Sequence, residues 1–214
     1  MMVDFKTYDN KEFSLESNEG NVGILLSGGL DSLLLLTLLC EYFDRQRYII
    51  FTIDKPDGSM MWTEKILDYV SDRFPTNEFY QQIIEGGDTD EQAELGISGK
   101  VGFSDVLRNY YSNLGILYSG NTANPPVALD HNTAEPDRSA ALRAQEKWEK
   151  FTMPFAHLNK SHTIELAHRY KYQHVFTMSH TCTERPRGRC GVCWQCKERQ
   201  WGFKENNLKD PGKI

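Results

Sequence analysis

The sequence has no apolar segment long enough to cross a bilayer. Such a segment needs roughly 18 to 20 apolar residues in a row, and the longest apolar run here, residues 33–40, is short and contains Thr37. The N-terminal stretch MMVDFKTYDNKEF is polar and lacks the apolar core of a signal peptide. We therefore expect a cytoplasmic protein without a membrane partner.

An excess of basic residues is also missing. The 214 residues include 24 Lys and Arg against 30 Asp and Glu, a formal net charge of -6. This balance argues against a broad electrostatic contact with a nucleic-acid backbone, so we expect no nucleic-acid partner. Internal repeats and low-complexity segments are lacking too, while the hydrophobic fraction of 39% is typical of globular proteins.

Apolar runs and helical periodicity alternate along the chain. Strands are predicted at residues 22–26, 48–53, 78–84, 115–118 and 175–178, and helices at 32–42, 60–74, 103–114, 138–150 and 160–170. This alternation predicts an α/β fold with an open parallel sheet and flanking helices, entered through a short hairpin in residues 1–20. We expect one nucleotide-binding domain at residues 1–178 and a small helical, metal-binding segment at 179–214 packed on it.

The first of these strands leads directly into SGGLDS, residues 27–32, here called the glycine turn. A turn between a strand and a helix exposes backbone N–H groups at the positive end of the helix dipole, which favours an anion. The paired glycines let a phosphate approach the backbone, and Asp31 supplies a carboxylate for a cation. The pattern is neither the dinucleotide motif nor the Walker motif.

Four of the five cysteines lie close together near the end of the chain. Cys182, Cys190, Cys193 and Cys196, here called the cysteine cluster, have the pattern C-x7-C-G-V-C-x2-C. In a reduced compartment this spacing favours a structural zinc ion, with an iron-sulfur cluster as the main competitor. The fifth, Cys40, lies within an apolar helix and is expected to pack in the core.

SGGLDS after an apolar strand resembles the pyrophosphate loop of the PP-loop ATP pyrophosphatases. The resemblance implies their fold, that of the adenine nucleotide alpha hydrolases, and binding of ATP with Mg²⁺. By the same resemblance Asp31 positions Mg²⁺ or the phosphates, and Asp54 lies near the adenine and ribose, although a capping role for Asp54 fits the sequence equally well. The remaining residues implied to bind the nucleotide are Ser27, Gly28, Gly29, Leu30 and Ser32.

Three further stretches narrow the resemblance: MPFAHLNKSHTIEL, CGVCWQCKERQWGF and the closing KDPGKI. With SGGLDS they resemble the 7-cyano-7-deazaguanine synthases of the queuosine pathway. That family implies a homodimeric, zinc-binding ligase that adenylates 7-carboxy-7-deazaguanine and replaces the activated oxygen with ammonia, giving an amide and then a nitrile. Lys160, at the start of a helix, is then expected to stabilise charge at the α phosphorus, although a solvated helix end is the alternative.

The substrate side departs from that family. AEPDRSAAL keeps Pro136, Asp137 and Arg138 of the family segment, but has Glu135 in place of its tyrosine and no cysteine. Lys100 in SGK stands in place of a family arginine. We expect Lys100, Asn121, Asp137 and Arg138 to bind substrate, and we leave open a related deazapurine or an amide as final product.

Two other functions compete with this one. A PP-loop tRNA-modifying thiolase would use the cysteines to hold an iron-sulfur cluster, but the acidic balance of the chain speaks against a tRNA surface. A non-enzymatic protein would only sense ATP and would use the metal segment to bind a partner. In that case Asp31 and Lys160 would have no catalytic role.

Overall fold

The computed structural model of the chain describes residues 1–17, 20–85 and 98–212. Its elements, in chain order, are β1 (Met2–Lys6), β2 (Glu12–Glu16), β3 (Asn21–Leu25), α1 (Leu30–Tyr42), β4 (Arg47–Ile53), α2 (Ser59–Arg73), β5 (Glu78–Ile84), α3 (Ser98–Asn109), a 3-10 turn (Tyr111–Asn113), β6 (Leu114–Ser119), α4 (Ser139–Lys147), β7 (Phe151–Thr152), α5 (Lys160–Arg169), α6 (Gln173–Met178) and α7 (Trp194–Glu205).

Five strands form one parallel sheet in the order β5-β4-β3-β6-β7. This confirms the predicted α/β class. The chain first adds strands on one side of β3 and then returns to place β6 on its other side. The strand order therefore reverses between β3 and β6, and in open parallel sheets such a reversal opens a crevice at the carboxyl ends of the strands.

Both faces of the sheet are covered, which explains why its central strands β3 and β6 are largely apolar. Ile50 and Tyr118 pack in the larger core together with α1, α2, α5 and α6, whereas Phe51 and Leu117 point into a second core shared with α3 and α4. Because neighbouring residues of a strand face opposite sides, each strand contributes to both cores. Cys40 is buried in the larger core, as predicted.

The N-terminal hairpin is also present, as the antiparallel pair β1 and β2. Its inward side chains are apolar: Phe5 stacks on Phe13 with ring centroids 4.9 Å apart, and Phe13 meets Phe155 edge-on at 5.1 Å. Leu15 is fully buried on the same side. The hairpin is therefore packed against the main core rather than joined to the five-stranded sheet.

Two elements differ from the prediction. The predicted strand at residues 175–178 is the end of helix α6, in which Val175 and Phe176 are buried between α1, α2 and α5. A short apolar run does not distinguish a strand from a buried helix turn. Strand β7 was not predicted because it pairs with β6 over two residues, Phe151 and Thr152, which is too short to show a pattern.

None of the helices in the described ranges is long and apolar enough to traverse a membrane.

His174 in α6 makes a pH-dependent contribution to stability. Its Nε2 lies 3.1 Å from Thr37 Oγ1, and burial together with the Arg73 guanidinium lowers the pKa of His174 to about 4. The unfolded chain, with a pKa near 6.5, binds a proton first as the pH falls. Between about pH 6.5 and 4 the free energy of unfolding should drop by about 1 to 2 kcal/mol, allowing for solvent screening. Urea unfolding of His174→Gln should lack this part of the loss, and equal losses in both proteins would contradict the assignment.

Candidate active site

A cleft of about 700 Å³ opens at the carboxyl ends of the strands, where the order reverses. Its floor comes from residues at or just beyond the ends of β3, β4 and β6, such as Leu26, Ile53 and Ser119, and its walls from the starts of α1, α4 and α5 and from α7. The loop after β6 approaches closely: a Cβ on Gly120 would lie 2.8 Å from the backbone nitrogen of Ser32. Glycine is thus required for this contact.

The glycine turn forms one end of the cleft. Ser27, Gly29, Leu30, Asp31 and Ser32 line it, and the Ser27 and Ser32 hydroxyls lie 3.2 Å apart. The first-turn N–H groups of α1 have no acceptor within the helix, so they are available to an anion placed there.

Gly28 is the residue of the turn that does not line the cleft. It has a φ of 76°, and a Cβ at this position would lie 2.8 Å from Trp62 Cβ. Both facts exclude a side chain, because the left-handed conformation and the close contact each favour glycine. Gly28 therefore shapes the turn.

Lys160 lies opposite the glycine turn and is almost fully buried. It is the first residue of α5, whose start is capped by Asn159 and His162 in a reciprocal capping box. The ammonium forms an ion pair with Asp31 Oδ2, and Thr163 Oγ1 donates to Asp31 Oδ1 at 2.8 Å. The structure thus brings together in one cleft Asp31 and Lys160, which the sequence predicted separately as catalytic residues.

Glu198 in α7 also reaches this cleft and was not predicted. Its carboxylate lies 3.7 Å from Lys160 Nζ and 3.5 Å from an Arg138 guanidinium nitrogen. Burial raises the pKa of Glu198, an effect that Lys160 and Arg138 oppose. The available sequence signal was its spacing of four from both Trp194 and Gly202, since all three are buried on one side of a helix.

Three of the four predicted substrate residues line the cleft: Asn121, Asp137 and Arg138. Arg138 Nε donates to Asn124 Oδ1 at 2.9 Å, and Asn124 Nδ2 donates to Glu135 Oε1 at 2.6 Å. The altered segment around Glu135 is thus part of the wall beside Arg138. The fourth predicted residue, Lys100, lies outside the residues whose side chains the structure describes.

The structure does not bring Asp54 to the cleft. Its side chain is exposed, and its N–H donates to Ile84 O at 2.9 Å, which continues the β4-β5 ladder by one residue. Lys55 and Asp57 of the same turn line the cleft instead, and Asp57 Oδ1 accepts from Ser59 N at the start of α2. The capping role considered for Asp54 therefore falls to Asp57.

The cysteine cluster converges, as predicted. The four sulfurs all lie within 4.8 Å of one another, so the set can hold a metal. Gly191, with a φ of 76°, allows the chain to turn around them. Burial opposes a thiolate at Cys190, but the N–H groups of Val192 and Cys193 lower its pKa to about 7. A deprotonated thiol is the form that binds metals.

Arg199 links the residues before the cysteine cluster to those after it through hydrogen bonds. It is fully buried, and its Nε and one terminal nitrogen donate to Asp210 at 2.9 and 3.0 Å. It also donates to the hydroxyls of Ser179 and Thr181 at 2.7 and 3.1 Å. Arg189, just before Cys190, pairs with the same carboxylate. The closing KDPG sequence is thus part of the metal segment.

The cysteine segment contacts the glycine turn directly. His180 N donates to Gly28 O at 2.8 Å, and the His180 ring stacks on Trp62 with centroids 5.0 Å apart. Trp62 Nε1 donates to Pro186 O at 2.9 Å. The cysteine cluster and the glycine turn are therefore joined by a continuous set of contacts.

Sequence comparison matches residues 134–207 to the family described as Queuosine biosynthesis protein QueC. A curated 7-cyano-7-deazaguanine synthase from Gloeobacter violaceus is 36% identical over 61 residues, 27% of this chain and 26% of that protein. The aligned stretch thus spans about a quarter of that relative's length. The C-terminal part of this chain is QueC-like, and it contains Arg138, Lys160, Glu198 and the cysteine cluster.

Among solved structures, the U34-tRNA thiolase NcsA from Methanococcus maripaludis with its [4Fe-4S] cluster has a TM-score of 0.51 at 16% identity, covering 89% of this chain and 67% of that one. A predicted tRNA methyltransferase subunit from Methanocaldococcus jannaschii has a TM-score of 0.44 at 16% identity, covering 91% and 92%. The first similarity shows the fold alone, a parallel sheet with flanking helices.

Proposed function

We propose that this protein is an ATP-dependent ligase that forms carbon-nitrogen bonds on a 7-deazaguanine. Its substrates are then 7-carboxy-7-deazaguanine, ammonia and ATP, and its product is the nitrile or the amide. The observation that carries the proposal is the pairing of Asp31 in the glycine turn with Lys160 of the QueC-like segment, inside one cleft.

The cleft suits an adenylation reaction. The N–H groups at the start of α1 and the Ser27 and Ser32 hydroxyls are placed to bind the β and γ phosphates. The Asp31 carboxylate offers the oxygen ligands that Mg²⁺ prefers, and Mg²⁺ would supply charge neutralisation on the phosphates. Lys160 is placed to stabilise the negative charge that develops at the α phosphate when a substrate oxygen attacks it.

The steps then follow from the chemistry of an acyl adenylate. A carboxylate oxygen of the substrate attacks the α phosphorus and pyrophosphate leaves. Ammonia attacks the activated carbon, AMP leaves with the transferred oxygen, and a proton is released, which gives the amide. A second adenylation at the amide oxygen, again with loss of pyrophosphate, followed by loss of AMP and of both N–H protons of the amide nitrogen, gives the nitrile. In this scheme Arg138 and Asn121 orient the acceptor.

The distances in the cysteine cluster favour a single zinc ion. Zinc-sulfur bonds of about 2.3 Å in a tetrahedron place the sulfurs about 3.8 Å apart, and the Cys190 and Cys196 sulfurs are 4.0 Å apart. In a four-iron cluster each cysteine binds a different iron, so its sulfurs stand further apart. We propose that residues 179–214 hold zinc as a structural segment packed on the nucleotide-binding domain of residues 1–178.

The test is incubation of the metal-loaded protein with ATP, Mg²⁺, ammonium and 7-carboxy-7-deazaguanine. We expect AMP together with an amide or nitrile that takes its new nitrogen from isotopically labelled ammonium. A heavy oxygen isotope placed in the substrate carboxylate should appear in AMP, because the activated oxygen leaves with the phosphate.

Other outcomes of this experiment would favour a different substrate or a different function. AMP formation without a deazaguanine product would refute the acceptor and keep the adenylation chemistry, whereas no nucleotide turnover would favour the ATP-sensing protein. A brown protein that contains iron would favour the thiolase. The homodimer implied by the family resemblance is tested by light scattering.

A further inference from the structure

Four charged side chains of alternating sign form a row in the cleft, from Asp31 in the glycine turn to Arg138 beside the proposed acceptor site. Asp31 pairs with Lys160, Lys160 Nζ lies 3.7 Å from Glu198 Oε2, and Glu198 Oε1 lies 3.5 Å from Arg138. Four separate parts of the fold supply these groups: the starts of α1 and α5, helix α7, and the residue before α4. Glu198 therefore connects Lys160, beside the proposed phosphate site, with Arg138, beside the proposed acceptor site.

Glu198 is almost fully buried and lies beside both cations. Its side chain is 2% exposed, and its Oε1 is buried with no hydrogen-bond partner among the described residues. A carboxylate in such a position is costly unless cations remain close to it. Oε2 lies beside Lys160 and Oε1 beside Arg138, so Glu198 can act on substrate through these two side chains.

If the proposed function is correct, Lys160 needs Glu198 as a second carboxylate partner in addition to Asp31. In the cleft as described, Asp31 neutralises its ammonium. Once Asp31 takes part in binding Mg²⁺ and the phosphates, its charge is shared with the cation. Glu198 is then the other anion that the described residues place beside Lys160. The long lysine side chain has four rotatable bonds and is held at one point only if an anion stays behind it.

We propose that Glu198 is a positioning residue that acts as the shared counterion of Lys160 and Arg138. It holds the Lys160 ammonium at the α phosphate and the Arg138 guanidinium at the acceptor while anionic substrates occupy the cleft. Because Cys193 is the N-cap of α7 and Cys196 lies two residues before Glu198 on the same helix, the metal segment sets the position of this counterion. The proposal rests on the adenylation function argued above.

The Glu198→Gln variant distinguishes an effect on the position of Lys160 from an effect on the binding of anions. The amide keeps the shape of the side chain but removes one negative charge beside two cations, so the affinity for pyrophosphate should rise several-fold. The rate of AMP formation should nevertheless fall about ten- to a hundredfold, because Lys160 is no longer held in its reactive position. A residue needed only for folding would not raise the affinity for an anion.

The experiment measures pyrophosphate binding by calorimetry and AMP formation by chromatography, on holoprotein of verified metal content. Glu205→Gln is the matched control, since Glu205 is an exposed acid on the same helix; it should match the unchanged protein in both measurements. Glu198→Asp keeps the charge and should recover most of the lost rate. A Glu198→Gln rate within about twofold of the unchanged protein would overturn the proposal, as would a parallel loss of rate, affinity and metal.

A second measurement does not depend on the reaction. Thermal unfolding of Glu198→Gln, Lys160→Met and the double variant forms a cycle, and we expect the double variant to be less destabilised than the sum of the singles. Additive effects would show that the two side chains are not coupled and would overturn the proposal. Coupling in a protein that makes no AMP would instead uphold the counterion and refute the proposed function.

Discussion

Replacing Lys160 with methionine is expected to lower the rate of AMP formation about a hundred- to a thousandfold, the usual cost of losing one preorganised charge at a transition state. The ammonium lies within the cleft beside Asp31 and has almost no exposure to water, so no solvent molecule can take its place. We expect a much smaller change in the KM for ATP, because the N–H groups of the glycine turn still bind the phosphates.

The variant removes a cation from between two buried carboxylates, so its stability has to be followed as well. Unfolding temperature and far-ultraviolet circular dichroism show whether Lys160→Met is folded. If it is not, Lys160→Met combined with Glu198→Gln removes one charge of each sign and should restore the fold without restoring the rate. Lys204→Met, a change of an exposed lysine on α7, is the matched control. A folded Lys160→Met with a rate within about threefold of the unchanged protein would contradict the assigned role.

The parts of the fold that could be predicted are those that depend on the local sequence pattern. Strand β5 was predicted with its observed bounds, Glu78–Ile84, because it is an apolar-rich run between a proline turn and a glycine pair. The glycine turn was recognisable because a strand, two glycines and a helix start follow one another within a few residues. Sequence spacing alone also located the cysteine cluster, since thiol ligands need only a short flexible loop to meet.

What could not be predicted depends on contacts between distant segments. Val175 and Phe176 are helical because α6 fills a gap between α1, α2 and α5, and packing there outweighs the β propensity of the run. Asp54 was placed at the nucleotide because it follows β4, but its backbone extends the ladder to Ile84 and its side chain is exposed.

Within the candidate active site, Glu198 is the clearest example of a residue whose role depends on contacts between distant segments. In the sequence it is one acid among several charged residues after Cys196, and only its spacing of four from Trp194 and Gly202 separates it from a solvated helix face. Its partners, Lys160 and Arg138, are 38 and 60 residues away in the chain. The packing of α7 on α5, allowed by Gly202, where a Cβ would lie 2.9 Å from Ile164 Cδ1, brings Glu198 to Lys160. Arg138 reaches Glu198 from the residue before α4.

Loss of the proposed metal is expected to weaken the proposed phosphate site in the glycine turn, because His180 contacts Gly28. Cys193→Ser should reduce the bound metal to a small fraction, because a hydroxyl is a poor ligand in a thiolate site. Without the metal, residues 182–193 lose the bond that closes their loop. His180 and Pro186 should then leave Trp62, which removes the support behind the left-handed turn at Gly28.

The expected result is a pyrophosphate affinity at least about tenfold lower in calorimetry, since the N–H groups of α1 are no longer held in one arrangement. Trp62 should become more exposed, seen as a red-shifted emission that Trp62→Phe lacks. Cys40→Ala is the matched control because it removes a thiol from the core and leaves the cluster complete; it should retain metal and pyrophosphate binding even if it lowers stability. If metal-free protein binds pyrophosphate as tightly as the holoprotein, the cluster stabilises its own segment only, and the glycine turn is held by the sheet and α1 without it.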